Sequence, residues 1–207
     1  MPRISKSPFE LTGGRLCLDF ANTVDDRPTS NPRSRLKGYA DLLAFGVQTG
    51  VLSASEAREA ATLETNRPRY AAELYRRAIA LRERIFRILS ATATNSNPPL
   101  KDLLALNTLF RTVNARAAVL PIGKEFAWMW QDKKNITDRL LWEIIRSAMH
   151  LLTSDETRLV RQCAGDDCDW LFIDNSRSSN RRWCEMKTCG NRHKAREFYR
   201  RKMGRRS

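Results

Sequence analysis

Nowhere in this sequence does an apolar run approach the roughly 18 residues that a helix needs to cross a bilayer. The opening stretch, MPRISKSPFELTGG, likewise lacks the continuous apolar segment of a secretory signal, so the expected setting is cytoplasmic, with no membrane partner. Glycine and proline are sparse, nine and eight of 207 residues, and neither an internal repeat nor a long low-complexity tract occurs. With 42% hydrophobic and 29% charged residues, that scarcity excludes fibrous and wholly disordered classes and leaves a globular chain. Only two histidines are present, and no nucleophile stands in a recognisable pattern with a base, so an enzyme is the least favoured functional class. Length bounds the rest: one medium domain with a proper core and one small module fit into 207 residues, whereas two large domains do not.

What the chain does have is concentrated at its end. Five cysteines, an odd number without an export signal, argue for reduced thiols or a metal site over a disulfide framework. Four of them, Cys163, Cys168, Cys184 and Cys189, form C-x4-C-x15-C-x4-C, and Cys17 stands alone far upstream. Charge is gathered in the same place. The net charge is +14, and residues 175–207, with 12 basic and 2 acidic side chains, carry ten of those charges. A tail so basic is the electrostatic footprint of a polyanion partner, most often nucleic acid, or else a solvated surface.

Before about residue 155 the pattern is mainly helical. Tyr39, Leu42, Leu43, Gly46 and Val47 share a face, with Gly50 as a stop. Ser53 and Glu56 have capping-box spacing. Pro68 suits a first turn, and behind it Ala71, Leu74, Ala78, Leu81, Ile85 and Ile88 step by three and four. Leu103, Leu106, Phe110, Val113 and Ala117 suggest another helix, and Leu141, Ile144, Ala148 and Leu151 a last one starting near Asn135. Between them, AVLPIGKEFAWMWQDKKN has the pattern of a short β-hairpin with Trp128 and Trp130 on one side, packed over the helices or stacked on a ligand.

The helical part opens with LCLDFANTVDD, in which Leu16, Leu18 and Phe20 alternate with Cys17 and Asp19 as in a strand. Asp19, Asn22 and Thr23 are candidates for the polar end of a pocket for a small ligand; the competing reading is local turn and cap chemistry. Cys17 has no basic neighbour to activate it and reads as a small buried hydrophobe, and His150 as a packing or surface residue.

Two cysteine pairs, each closing a tight loop, supply the four soft ligands that tetrahedral Zn2+ takes. WLFID reads as a strand, NSRSSN as a turn and RRWC as the returning strand, after which Cys189 begins a helix through GNRHKAREFYRRK. That assembly is treble-clef-like. Arg192, Arg196 and Arg200 fall at i, i+4 and i+8 along the helix, joined by Lys194 and Arg201 and extended by Lys202, Arg205 and Arg206, while Ala195, Phe198 and Tyr199 would fasten it to the hairpin. Asn191 either braces the helix start or meets a base edge. His193 is a spare ligand that four thiolates leave unneeded.

The segment CAGDDCDWLFIDNSRSSNRRWCEMKTCGNRHKAREFYRRK resembles the CGNR zinc-finger family, whose tetrapeptide stands here as Cys189, Gly190, Asn191 and Arg192. LCLDFANTV followed by YADLLAFGVQTGVL resembles the ABATE domain commonly joined to that finger. The resemblance implies a stress-linked bacterial transcription regulator with an unidentified ligand for its first domain. Residues 1–157 are then expected to form a mainly α-helical, ligand-sensing domain with a short β-hairpin, and residues 158–207 a small zinc finger holding one structural Zn2+ through the four cysteines. Asn191, Arg192, Lys194, Arg196, Arg200 and Arg201 are the expected DNA contacts. An RNA-binding or protein-binding zinc adaptor is the alternative, with Tyr199 as the one evident base-stacking candidate.

Overall fold

The computed structural model describes residues 9–131 and 136–204. The expected start of the last helix, Asn135, and the basic pair Arg205 and Arg206 lie outside them. In chain order the elements are α1 (Leu16–Ala21), a small β1–β2 ladder (Val24–Asp25 with Arg33–Ser34), α2 (Tyr39–Gln48), α3 (Ala54–Asn66), α4 (Pro68–Ala93), α5 (Leu100–Asn114), the ribbon β3–β4 (Ala117–Ile122 with Glu125–Trp130) and α6 (Ile136–Thr153). A 3-10 turn, Asp155–Leu159, leads to β5 (Val160–Gln162) and β6 (Leu171–Ile173), and the chain ends in α7 (Asn191–Gly204). No helix among the described residues is long and apolar enough to cross a membrane.

Local chemistry sets the boundaries of the outer helices. Ser53 Oγ accepts from the Glu56 N–H at 3.2 Å and Glu56 Oε2 accepts from the Ser53 N–H at 2.8 Å, a complete capping box that starts α3. Arg139 also grips Glu56, at 2.7 Å, and that guanidinium pulls its carboxyl down to about 2. α2 ends where Gly50 takes φ +74°, a conformation that L side chains resist. Within α2, Phe45 joins the core in place of Val47, which is exposed. Pro68 opens α4, which buries Ala71, Leu74, Ala78, Leu81, Ile85 and Ile88 as its spacing requires.

The segment read as a strand, Leu16 to Phe20, is a helix instead. α1 lies at the centre, against α4, α6 and β6, with Cys17, Leu18, Phe20 and Ala21 all buried. A short run buried on every side has no polar face, so its apolar spacing cannot separate strand from helix. Ala117, assigned by spacing to α5, opens β3. The β3–β4 hairpin forms as expected, with the turn at Gly123–Lys124 and Gly123 at φ +63°. Trp130 packs on Trp142 at 5.5 Å between centroids, whereas Trp128 is half exposed beside its cross-strand neighbour Val119.

At the carboxy-terminal end the hairpin is displaced from its expected place. β6 pairs antiparallel with β5, in front of it, and residues 181–184 form no strand. The partner lies upstream because Val160, Leu171 and Ile173 are apolar residues that complete the helical core, whereas RRWC would bring arginines into it.

Candidate metal centre and nucleic-acid interface

Cys163 and Cys168 bracket the turn between β5 and β6. Its closure is fixed by the Cys163 N–H on Trp170 O (2.8 Å) and the Cys168 N–H on Gly165 O (2.9 Å). Cys184 returns to this turn through a loop organised by buried Asp174, which accepts from the N–H groups of Ser176 and Arg181, each at 3.0 Å. Arg181 then folds its guanidinium over Phe172 at 4.4 Å and donates to the carbonyls of Trp183 and Cys184. Cys189 sits in a single wide turn, Met186–Gly190, immediately before α7. A Cβ on Gly190 would lie 2.4 Å from Met186 Sδ and 3.2 Å from the Trp183 ring, so a larger residue at the second position of the CGNR tetrapeptide would have to displace the Met186 side chain.

The four sulfurs are buried and lie within 4.8 Å of one another. Cys168 and Cys184 are 3.8 Å apart and Cys184 and Cys189 3.5 Å, near the ~3.8 Å edge of a tetrahedron with Zn–S bonds of about 2.3 Å. Such crowding does not suit four independent thiols: hydrogen bonds from its neighbours Cys168 and Cys184 hold Cys163 well below the usual thiol range, while Cys168 and Cys184 are pushed above it, chiefly through their contact with Cys163. A divalent cation resolves that competition, and this donor set holds one structural Zn2+, closed to substrate. Arg192 stands 3.3 Å from Cys189 Sγ, where its charge offsets part of the −2 of a four-thiolate site. His193 stacks on Trp183, 4.6 Å between centroids, and is not among the clustered ligands. Cys17 is separate and fully buried, and burial pushes its thiol up to about 12.

α7 differs from every expectation for an anchored helix. It buries no residue among those described, and Phe198 and Tyr199, expected to fasten it, are each 63% exposed. Its attachment is within its first two turns, through the cysteine centre and three ion pairs: Arg192 with Asp167 at 3.1 Å, and Arg196 with Asp167 at 2.9 Å and Asp166 at 3.1 Å. Arg200 pairs within the helix with Glu197 at 2.5 Å. The three-arginine stripe therefore already holds the fold's own acids. Lys194, Arg201 and Lys202 are exposed and have no acidic partner among the described residues. Asn191 donates from Nδ2 to Lys187 O at 3.2 Å, bracing the turn, and is otherwise exposed.

The three residues proposed as a pocket lie elsewhere and are occupied. Asn22 spends its whole amide on the backbone of Leu171, accepting from its N–H and donating to its carbonyl, both at 2.8 Å. Thr23 Oγ1 donates to Phe20 O at 2.8 Å and Asp19 accepts from the Gly13 N–H at 2.8 Å. None of them lines the cavity that the first turn of α7 borders, because a buried polar group beside a strand end satisfies the nearest backbone first. That cavity, about 490 Å³, opens between the two parts of the chain: Glu10, Asp25 and Arg35 face Trp170, Lys187 and Arg192 across it, with Asn191 at its wall. Further bonds cross the same seam, from Trp170 Nε1 to Val24 O at 2.8 Å and from the Ile173 N–H to Gly13 O at 3.0 Å.

Asp166, Asp167, Trp170 and Arg181 are site residues that motif reading passes over. Two adjacent acids inside a cysteine loop, followed by an arginine-rich helix, were the available signal for the first pair. Comparison with known families agrees with this architecture. A family model named ABATE, described as "putative stress-induced transcription regulator", matches residues 14–155, and a model for the CGNR zinc finger matches residues 159–202. No curated protein matches the sequence.

Proposed function

We propose that this chain, which belongs to the ABATE family and carries its CGNR zinc finger, is a zinc-dependent DNA-binding transcription regulator whose signal enters at the seam between its two parts. The observation that carries the reading is α7: fourteen residues, projecting from a four-cysteine centre, with none buried and with Lys194, Arg201 and Lys202 lacking an acidic partner among the described residues. A helix held only at its base, with positive charge and no core of its own, suits entry into a groove lined by phosphates. Lys194, Arg201 and Lys202 neutralise phosphates; Asn191, at the helix start, reads a base edge with the Oδ1 its bond to Lys187 leaves available. The 490 Å³ cavity supports the ligand-sensing half of the proposal, since both the helical domain and the first turn of α7 line it. An occupant that binds better in one orientation of the finger shifts the population toward that orientation.

The test is a salt titration of binding to specific and random duplexes. Alanine at Lys194, Arg201 or Lys202 should each reduce the salt slope by about one and weaken binding on every sequence. Asn191→Ala should cost roughly 1–3 kcal/mol on the preferred sequence alone. An unchanged slope in all three cation variants removes the DNA assignment. A second reading, single-stranded RNA, draws on the exposed rings of Phe198 and Tyr199 beside those cations. Under it, Phe198→Ala and Tyr199→Ala lower single-strand affinity and leave duplex affinity untouched.

A further inference from the structure

The β3–β4 ribbon leaves the helical bundle between α5 and α6 and is attached at its root, where Trp130 meets Trp142. Beyond that root it is apolar on both faces. Cross-strand register sets Val119 beside Trp128 and Pro121 beside Phe126 on one face, and Leu120, Ile122 and Met129 on the other. Val119, Leu120, Ile122, Phe126, Trp128 and Met129 are all exposed, Phe126 to 76%. An isolated two-stranded hairpin is marginal in water, and one with exposed aromatic and branched side chains on both faces has a partner.

We infer that the partner is a second copy of this chain, ribbon against ribbon. Charge is the first argument. The protein carries +14, so two copies repel over most of their surfaces, whereas residues 117–130 contain one Lys and one Glu and are neutral. The ribbon is the place where two copies approach without that cost, and it holds no charge that an acidic or basic foreign partner would recognise. Area is the second. The six exposed side chains offer on the order of 600 Å² per copy over both faces, and a ribbon added edge to edge lays its own apolar side chains beside them on both faces at once.

Backbone pairing chooses the edge. The Gln131 N–H bonds to Arg116 O at 2.9 Å, which marks Arg116 and Gln131 as a bonded pair, so by alternation Ala117, Val119 and Pro121 turn their backbone groups outward on β3, and Phe126 and Trp128 do so on β4. Pro121 has no N–H to give, so the outer edge of β3 is blunted near the tip. Among the described residues no strand pairs with the β4 edge. Two β4 strands pairing antiparallel about a two-fold axis build a four-stranded sheet in which Phe126 of each copy packs beside Trp128 of the other, a self-complementary contact that closes at two.

Light scattering and sedimentation of the full zinc-loaded chain across a concentration series test this. The unmodified chain should be dimeric, and Phe126→Glu and Trp128→Glu should each weaken the dimer at least tenfold, with zinc content and helical circular dichroism unchanged and the unfolding midpoint lowered only by the loss of the dimer. Trp128→Phe should keep the dimer. A chain that stays monomeric through the series overturns the inference and leaves the ribbon to a foreign partner. A dimer indifferent to both glutamates overturns it as well, since the interface then lies elsewhere.

Discussion

The helical domain and the cysteine-centred part that follows it are held by different forces. The first closes around a continuous set of buried apolar side chains running from Phe9 to Ile173. The second has one small cluster, Cys163, Cys168, Trp170, Phe172, Cys184 and Cys189, in which four of the six members are metal-binding thiols. The border between these regimes does not fall where the two family matches meet, between residues 155 and 159. It runs through the β5–β6 hairpin, which buries Val160, Leu171 and Ile173 in the helical core while Phe172 and the cysteines of its turn belong to the metal-side cluster. The hairpin thus belongs to both parts, and what happens at the metal is felt by a strand bonded directly to α1's C-terminus through Asn22.

Stripping the zinc is the harshest way to test that border. Structural zinc supplies about 10–16 kcal/mol of apparent folding free energy in small finger peptides. Chelation should therefore release residues 174–204 to fast amide exchange while β5, β6 and the helices keep their protection. If β5 and β6 exchange along with α7, the border lies at residue 158, and the hairpin is part of the finger alone.

The seam itself is tested next. Asn22→Ala leaves the buried N–H and carbonyl of Leu171 without partners, and each such group costs about 1–3 kcal/mol, so urea unfolding should show a loss of about 2–4 kcal/mol. A loss below about 0.5 kcal/mol means that hydrophobic burial alone docks the hairpin.

Much of this comparison was legible in the sequence. Steps of three and four fixed α4, the Ser53–Glu56 pair fixed the start of α3, and cysteine spacing identified the ligands, because each of those signals is local. What was missed is non-local. Asn22 looked like pocket chemistry because nothing near it in sequence reveals that Leu171, 149 residues on, takes both of its amide groups. β6 was given the wrong neighbour because strand pairing is decided by which apolar residues a third element can cover. Arg192 and Arg196 read as phosphate contacts from spacing alone, and only the folded turn shows Asp166 and Asp167 beside them.

Acidity supplies a smaller effect on the helical side. Burial raises the Asp19 carboxyl to about 6, above its unfolded value near 3.9, so the folded state holds this proton more tightly. The unfolded chain then binds fewer protons between those values, and stability from this group rises as pH falls from 7 toward 4. Asp19→Asn should abolish that rise, worth about 1–2 kcal/mol once partial solvent access is allowed for, while keeping an acceptor for the Gly13 N–H. Thermal unfolding of both proteins at several pH values reads it; parallel profiles would mean that Asp19 is ionised at no cost.

The smallest expected effect on stability falls on the finger side, where it decides whether its arginines serve the fold or a polyanion. Asp167 accepts from both Arg192 and Arg196, at 3.1 and 2.9 Å, and all three side chains retain contact with solvent. Exposed ion pairs contribute about 0–1 kcal/mol, so Asp167→Ala should move the unfolding midpoint little and leave zinc content intact. Its effect on polyanion binding should be larger than its effect on folding. Removing that charge leaves Arg192 without its acid and Arg196 with Asp166 alone, so the salt slope should steepen by about one. The same substitution in a chain that also carries Arg192→Ala and Arg196→Ala should steepen nothing, which separates released cations from a general change in surface charge. If Asp167→Ala instead lowers stability by several kcal/mol and frees α7 to exchange, the ion pairs are the anchor of the helix, and Arg192 and Arg196 belong to the fold in the same sense that Asn22 does.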